Sequence, residues 1–249
     1  MKAIGVLPAR WASTRLPGKV LVKIAGKSML ERVWTRVKGA KELVDVIIAC
    51  DEPHVLDAAK AFGAKAVLTR KDHASGSDRV AEVAALTDAD IVVNIQADEP
   101  LIDPLVIDAL VKSLREDKTC VLATAIKRII SIDEFRNPNV VKVVIDQKQC
   151  ALYFSRSPIP FKRDGACVEA DVTNYFKHLG IYAYRREFLF EYCRWSKSFL
   201  EQEECLEQLR VLEAGYKIKT VETTMETIGV DTPADIVRVE TYMKAHGLQ

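Results

Sequence analysis

Three cations within ten residues, Arg10, Arg15 and Lys19, follow an apolar run in "GVLPARWASTRLPGKVL" (5–21). Guanidinium groups grip phosphate oxygens in pairs and an ammonium acts as a point charge, so this grouping suits a polyphosphate. Further on, "QADEP" sets Gln96, Asp98 and Glu99 after another apolar run, and "GVD" ends at Asp231. Two carboxylates far apart in the chain, together with several cations, are what a metal-bound polyphosphate requires. Each feature also has an ordinary reading. Surface Arg and Lys are usually solvated, and "HASGSDR" (73–79) reads by local rules as a turn with a helix cap. Asp98 suits a strand-end turn, Asp231 a turn before Thr232, and Asp103-Pro104 an N-cap and first turn. Neither G-x-x-x-x-G-K-[ST] nor G-x-G-x-x-G occurs, which argues against a kinase-type or dinucleotide site.

What weakens the separate readings is the elements that position these residues. "AIGVL" (3–7), "VDVIIAC" (44–50), "AKAVL" (64–68) and "DIVVNI" (90–95) read as strands buried on both faces. Leu30, Val33, Trp34 and Val37 mark one face of a helix between the first two, and Val55, Ala58, Ala59 and Phe62 mark the next. Val80, Val83 and Ala84 begin a third helix, with Ser77 placed to cap it and Asp78 in its first turn. This alternation predicts βαβ units: an α/β fold with a mostly parallel central sheet and helices on both faces. Ligands of such sheets bind beyond the carboxyl ends of the strands, where all the residues above fall.

After residue 117 the rhythm changes. Strands are expected over 119–129, 139–146, 150–156, 176–185 and 216–223, with "DQKQ" closing a hairpin and an irregular, exposed "SRSPIPFKRDG" (155–165). A helix is expected over 203–214 with Cys205, Leu209 and Leu212 on one face, and a last one from Thr232, an N-cap followed by Pro233. The chain thus reads as one domain, 1–249, whose second half adds a smaller mixed lobe. No repeat or linker interrupts it.

The 249 residues are 49% hydrophobic and 29% charged, an ordinary globular balance. A net charge of +1 gives no global pull toward nucleic acid or a membrane surface. Six cysteines form no C-x-x-C and the four histidines complete no zinc pattern; Cys50 and His54 are spaced like half of one. The cysteines therefore read as small buried hydrophobes in a reducing compartment. Seven fairly apolar residues between Lys2 and Arg10 are too few for a signal peptide, and no apolar run approaches ~18 residues. A soluble, cytoplasmic protein without membrane insertion is expected.

The blocks "PARWASTRLPGK", "HASGSDR", "NIQADEPLI", "FKHLGIYAYR", "LEQLRVLEAGYKI" and "GVDTPADI" resemble the 3-deoxy-manno-octulosonate cytidylyltransferases (CMP-Kdo synthetases). They occur in that family's order from residue 5 to about 240; "PAR-x4-R-x-PGK" is shared with other sugar nucleotidyltransferases, and the blocks over 176–213 are the specific part. The resemblance implies a nucleotide-diphospho-sugar transferase-like fold. It also implies the reaction CTP + Kdo → CMP-Kdo + pyrophosphate with Mg²⁺, serving lipopolysaccharide biosynthesis. Arg10, Arg15 and Lys19 would hold the triphosphate, and Leu7, Ala9, Ala74, Ser75, Arg79 and Gln96 would complete the nucleotide site. Asp98 and Asp231 would be the metal ligands. Gln96, Arg156, His178, Tyr182, Glu207 and Gln208 would contact the sugar acid, Glu207 and Gln208 projecting freely from the 203–214 helix. One departure is Ala97, where the family normally has Gly; at φ > 0 it would be strained by roughly 1–2 kcal/mol. The family's homodimer implies an interface in the lobe over 130–215. Rival readings are a cytidylyltransferase for sialic acid or amino-Kdo, a nucleotide-sugar glycosyltransferase, and a non-catalytic nucleotide sensor.

Overall fold

The first apolar run becomes β1 (Ala3–Ala9), buried along nearly all its length. It belongs to a computed structural model that describes residues 1–12, 16–165 and 167–248. Arg15 lies outside the described residues. The chain forms two compact units, Met1–Asp108 with Glu226–Gln249, and Ala109–Met225. The lobe expected over 130–215 falls inside the second.

In the first unit a short β2 (Lys23–Ile24) and β3 (Lys27–Ser28) pair antiparallel, ahead of α1 (Met29–Val37). The Ser28 side chain caps α1 by accepting from the Glu31 N–H. Then follow β4 (Asp45–Cys50), α2 (Pro53–Ala61), β5 (Lys65–Leu68), α3 (Gly76–Ala84) and β6 (Ile91–Asn94). β1 pairs in parallel with β4 on one side and β6 on the other, and β5 pairs in parallel with β4. The chain thus builds outward from β1 to β5 and returns to the far side of β1. Strand order reverses between β1 and β6, and beyond the carboxyl ends of strands at such a switch point is where ligands of open α/β sheets bind.

Two local expectations change. β5 is the outer strand of this set and is only partly buried, not covered on both faces. α3 starts earlier than read: Ser75, not Ser77, is its N-cap, because Asp78 closes a reciprocal capping box with Ser75. Ser77 is buried inside the first turn. α4 (Pro104–Glu116) begins in the first unit and continues past Asp108 into the second. The C-terminal helix, Pro233–Ala245, follows Thr232 as expected. Its Val239 and Met243 pack with Ile24, Met29, Leu101 and Val230 in one buried cluster.

The second unit contains β7 (Cys120–Arg128), α5 (Ile132–Arg136), β8 (Lys142–Ile145), β9 (Ala151–Ser155) and β10 (Phe176–Arg185). It continues with α6 (Arg186–Tyr192), α7 (Phe199–Glu204), α8 (Leu209–Glu213) and β11 (Lys217–Glu222). β7 runs parallel to β11 and antiparallel to β10; β8 is antiparallel to β10 and β9. The α/β architecture and the mixed second half are as the periodicities predict. The "DQKQ" turn does join β8 to β9, with Asp146 Oδ1 accepting from the Lys148 and Cys150 N–H groups at 2.8 Å each.

The single helix expected over 203–214 is instead two. Cys205 stands at φ 51° in the left-handed region, and the Leu206 N–H closes on the Glu201 carbonyl, the usual helix-ending pattern. Of the six cysteines, Cys50, Cys120 and Cys150 are buried as expected, while Cys205 is exposed.

Candidate active site

In the first unit, β1 delivers Arg10, which is exposed at the strand's carboxyl end. Leu7 and Ala9 are fully buried within β1. The loop that follows is shaped by glycine. Gly18 has φ +65°, and a Cβ there would sit 2.6 Å from the Trp11 ring, so the indole lies on the bare backbone just before Lys19. Lys19 opens a 3-10 turn, Lys19–Leu21. Its ammonium donates to Asp98 Oδ2 at 2.6 Å and to Asp231 Oδ1 at 3.0 Å.

The two aspartates reach this point by different routes. Asp98 follows β6, and its carbonyl accepts from the Val230 N–H at 3.0 Å, stitching the two segments together. Asp231 precedes the C-terminal helix, whose Asp235 carboxylate accepts from the Asp231 and Thr232 N–H groups. Burial of the packed cluster under Val230 thus fixes the distance between residues far apart in sequence. Burial opposes the Lys19 charge, but the Asp98 and Asp231 carboxylates outweigh it and raise its pKa. Glu99 is a third carboxyl in this group. Burial above all, then the Asp98 charge, pushes it up to about 8. Its Oε2 is buried without a hydrogen-bond partner among the described residues.

Ala97 is buried and is not among the residues with positive φ, so the anticipated backbone strain does not arise. Gln96 donates from Nε2 to Asn94 Oδ1 at 3.5 Å. Across β1, Gly76 sits where a Cβ would touch the Pro8 ring at 3.8 Å, which brings the "HASGSDR" turn against the end of β1. Ala74 is exposed there, and the Ser75 hydroxyl is engaged by Asp78. Arg79 is not free at the surface. It is 2% exposed and donates to Asp51 Oδ2 at 3.2 Å and Thr69 Oγ1 at 2.5 Å. The other Asp51 oxygen accepts from the Trp11 N–H at 2.9 Å. Arg79 therefore touches the cationic loop through Asp51.

The second unit gathers another set. His178 Nε2 lies 2.9 Å from Thr124 Oγ1 on β7. Thr124 Oγ1 also lies 2.8 Å from the Ile181 carbonyl and 3.2 Å from the Leu179 carbonyl; with its one proton on either of these, Nε2–H donates to it and Nδ1 keeps its lone pair. The imidazole packs edge-on to Phe154 and beside Tyr182. Burial alone drops its pKa to about 3. Tyr182 Oη donates to Gln208 Oε1 at 3.2 Å, and burial raises the phenol well above its usual value. Gln208 is 3% exposed, so it does not project freely as expected; Glu207 beside it is exposed. Both lie in the turn after Cys205.

Arg156 follows β9. Its Nε donates to the Glu204 carbonyl at 2.7 Å and Nη1 to the Pro138 carbonyl at 3.1 Å. Counting the longer 3.5 Å contact from Nη2 to the Cys205 carbonyl, two of its five side-chain N–H donors take no partner among the described residues. Its own carbonyl is held by Lys142, a fully buried lysine whose ammonium also donates to Asn137 and Val140 carbonyls.

The His178 geometry makes a pH prediction. A folded pKa near 3 against an unfolded one near 6.5 means that, below about pH 6.5, only the unfolded chain takes up this proton. Stability should fall as pH drops from about 6.5 toward 3, by up to about 2 kcal/mol between pH 7 and pH 5 from this residue. Urea unfolding midpoints of the protein and its His178→Gln variant check this. The variant should lose less between those two pH values; identical losses would remove His178 from the acid limb.

The reading of the sequence missed three supports. Glu99 stands in "QADEP" with no role that the sequence assigns, and Asp51 is merely the residue after the apolar run 44–50. Thr124, mid-strand in β7, carried no local signal at all.

Comparison with known proteins bears on this arrangement. A family model described as cytidylyltransferase matches residues 4–219. A 3-deoxy-manno-octulosonate cytidylyltransferase of Solibacter usitatus is 53% identical over 100% of this chain and 97% of its own. That of Geotalea daltonii is 48% identical over 99% and 100%. The solved structure of a CMP:2-keto-3-deoxy-manno-octonic acid synthetase complexed with CTP superposes with a TM-score of 0.92 at 45% identity, covering 99% of this chain and 100% of that one. With its carboxylate pair, cationic loop and strand-order switch, this chain belongs to the cytidylyltransferase family, among the 3-deoxy-manno-octulosonate enzymes.

Proposed function

We infer that this protein transfers CMP from CTP to 3-deoxy-D-manno-octulosonate, releasing pyrophosphate and giving CMP-Kdo for lipopolysaccharide biosynthesis. The observation that carries the reading is the near-complete superposition on a synthetase bound to CTP. Nucleotidyl transfer asks the protein chiefly for positioning and charge stabilisation. In this reading Arg10, Arg15 and Lys19 grip the triphosphate. Ala74 and Ser75 approach the base with Leu7 and Ala9 behind them, and Arg79 steadies the loop through Asp51. The sugar's anomeric hydroxyl attacks the α-phosphorus in line, its proton leaves to solvent, and pyrophosphate departs toward the cations.

Asp98 and Asp231 fit a Mg²⁺ ion. Their carboxylates already converge on one cationic point, occupied by the Lys19 ammonium, and the buried Glu99 carboxyl is close enough to feel the charges of all three. Hard oxygen donors of this kind suit Mg²⁺. Bound there, the ion would screen phosphate charge and favour deprotonation of the attacking hydroxyl. Lys19 would then be freed for phosphate.

For the sugar we assign Gln96, Arg156, His178, Tyr182, Glu207 and Gln208. The spare Arg156 donors suit a carboxylate, the His178 Nδ1 lone pair accepts from a hydroxyl, and Gln208 Nε2, buried without a partner among the described residues, offers a donor. A homodimer is also part of the proposal: the second unit exposes Phe161 at 86%, together with Ile130, Leu152 and Val168. Among the described residues no helix is long and apolar enough to cross a membrane; a cytoplasmic site of action belongs to the same proposal. Net charge gives no case for a nucleic-acid partner.

Pyrophosphate release with CTP and Mg²⁺ tests the reading, comparing Kdo, amino-Kdo, sialic acid and no sugar. Release with Kdo is expected. Release with only another acid would preserve the chemistry and overturn the sugar, with Ala97 the first residue to revert; no release from folded protein would favour a glycosyltransferase or sensor.

A further inference from the structure

Two buried thiols that the reaction does not use meet in the second unit. Cys120 begins β7 and Cys150 ends the β8–β9 turn, and their sulfurs lie 3.7 Å apart. Beside them Asp117 forms a tight local turn, its Oδ1 accepting from the Thr119 N–H at 3.0 Å and the Thr119 hydroxyl at 2.7 Å. That turn leaves Oδ2 aimed at the thiols, 3.6 Å from Cys120 Sγ. The three potential ligand atoms all lie within 4.8 Å of one another.

These lengths have a simple geometric counterpart. A tetrahedral zinc ion with Zn–S of about 2.3 Å and Zn–O of about 2.1 Å has an S···S edge of about 3.8 Å and an S···O edge of about 3.6 Å. The two distances here agree with those edges to within about 0.1 Å. A disulfide would need the sulfurs at about 2.05 Å and gives no reason for a carboxylate oxygen on the same pair.

We propose that Asp117, Cys120 and Cys150 form a site for a zinc-class divalent cation, three protein ligands with a fourth position open to water. Charge supports it. Loading sends the two thiol protons to solvent, leaving two thiolates and a carboxylate against the dication. The residual negative charge is met by the Lys219 ammonium, 3.6 Å from Asp117 Oδ2 and anchored on the Lys148 carbonyl at 2.6 Å. Soft sulfur donors also separate this site from the carboxylate group suited to Mg²⁺. Cys120 pairs with Lys217 of β11 and Cys150 bridges to Lys219 of the same strand, so the ion would clip together three segments of one sheet.

The test uses the full chain, reduced and stripped with a chelator, then titrated with Co²⁺. One cobalt per chain should produce sulfur-to-cobalt charge-transfer absorption and the intense visible bands of a tetrahedral ion, both displaced by one equivalent of Zn²⁺. Cobalt bound to carboxylates alone gives no such charge-transfer band. Cys150→Ala should abolish the two-thiolate spectrum, and Asp117→Asn should weaken zinc binding about tenfold or more while keeping it. In the unaltered protein, which needs no variant to fold, Zn²⁺ but not Mg²⁺ should slow alkylation of Cys120 and Cys150 at least tenfold, read by peptide mapping. The proposal fails if cobalt gives no charge-transfer band, if zinc uptake is unchanged in Cys150→Ala, or if alkylation is indifferent to zinc.

Discussion

Asp98→Asn is expected to lower kcat by about a thousandfold or more while the protein remains folded. The substitution keeps the side chain's shape and the backbone carbonyl that accepts from the Val230 N–H, so the link between β6 and the C-terminal segment survives. The Asp98 side chain is 32% exposed, which limits the cost of neutralising it. What changes is charge at one point. Among the described residues Lys19 keeps Asp231 as its one carboxylate partner, and a divalent cation loses one of two anionic oxygens. Asp231→Asn should behave alike, and the double variant should be little worse than either, because groups that act as a unit lose their effect together. Pyrophosphate release measures the rate, and thermal melting shows that the fold persists. Wild-type turnover in a folded variant would defeat the assignment of the pair. A loss restored by raising Mg²⁺ tenfold would instead locate the effect in metal affinity.

The sequence made the placement of this site legible because placement depends on short-range pattern. Apolar runs at β1, β4, β5 and β6 alternate with helical stripes, and that rhythm dictates parallel strands with loops at their carboxyl ends. What was not legible is which partner each side chain takes. Lys19 reads as a phosphate ligand by type, yet its ammonium lies on two carboxylates that arrive from other parts of the chain. Ser77 reads as a cap as well as Ser75 does; only the return bond from Asp78 decides between them. The 203–214 helix breaks at a cysteine in a left-handed conformation, a place where glycine would have announced the stop and cysteine does not. The Cys120–Cys150 pair was hidden for a different reason. Zinc motifs are recognised by close spacing, whereas these thiols are joined through β11.

The Asp51–Arg79 pair carries the second large expectation. Asp51→Leu should destabilise the protein by about 3–5 kcal/mol, because it strands a guanidinium that is 2% exposed. Replacing both partners, as Asp51→Leu with Arg79→Met, should recover most of that loss, since an apolar pair needs no counter-charge. A coupling energy of at least about 2 kcal/mol in urea unfolding is therefore expected from the double-mutant cycle. Function should not recover with stability. The Trp11 N–H loses its acceptor in every variant lacking Asp51, and Trp11 lies on Gly18, next to Lys19. KM for CTP should thus rise in Asp51→Leu, rise similarly in Arg79→Met, and rise no further in the double variant. That pattern makes Arg79 a positioning residue acting through Asp51. Additive increases in KM, or an increase in Arg79→Met alone, would instead mean that the Arg79 guanidinium touches the nucleotide itself and must leave Asp51 to do so.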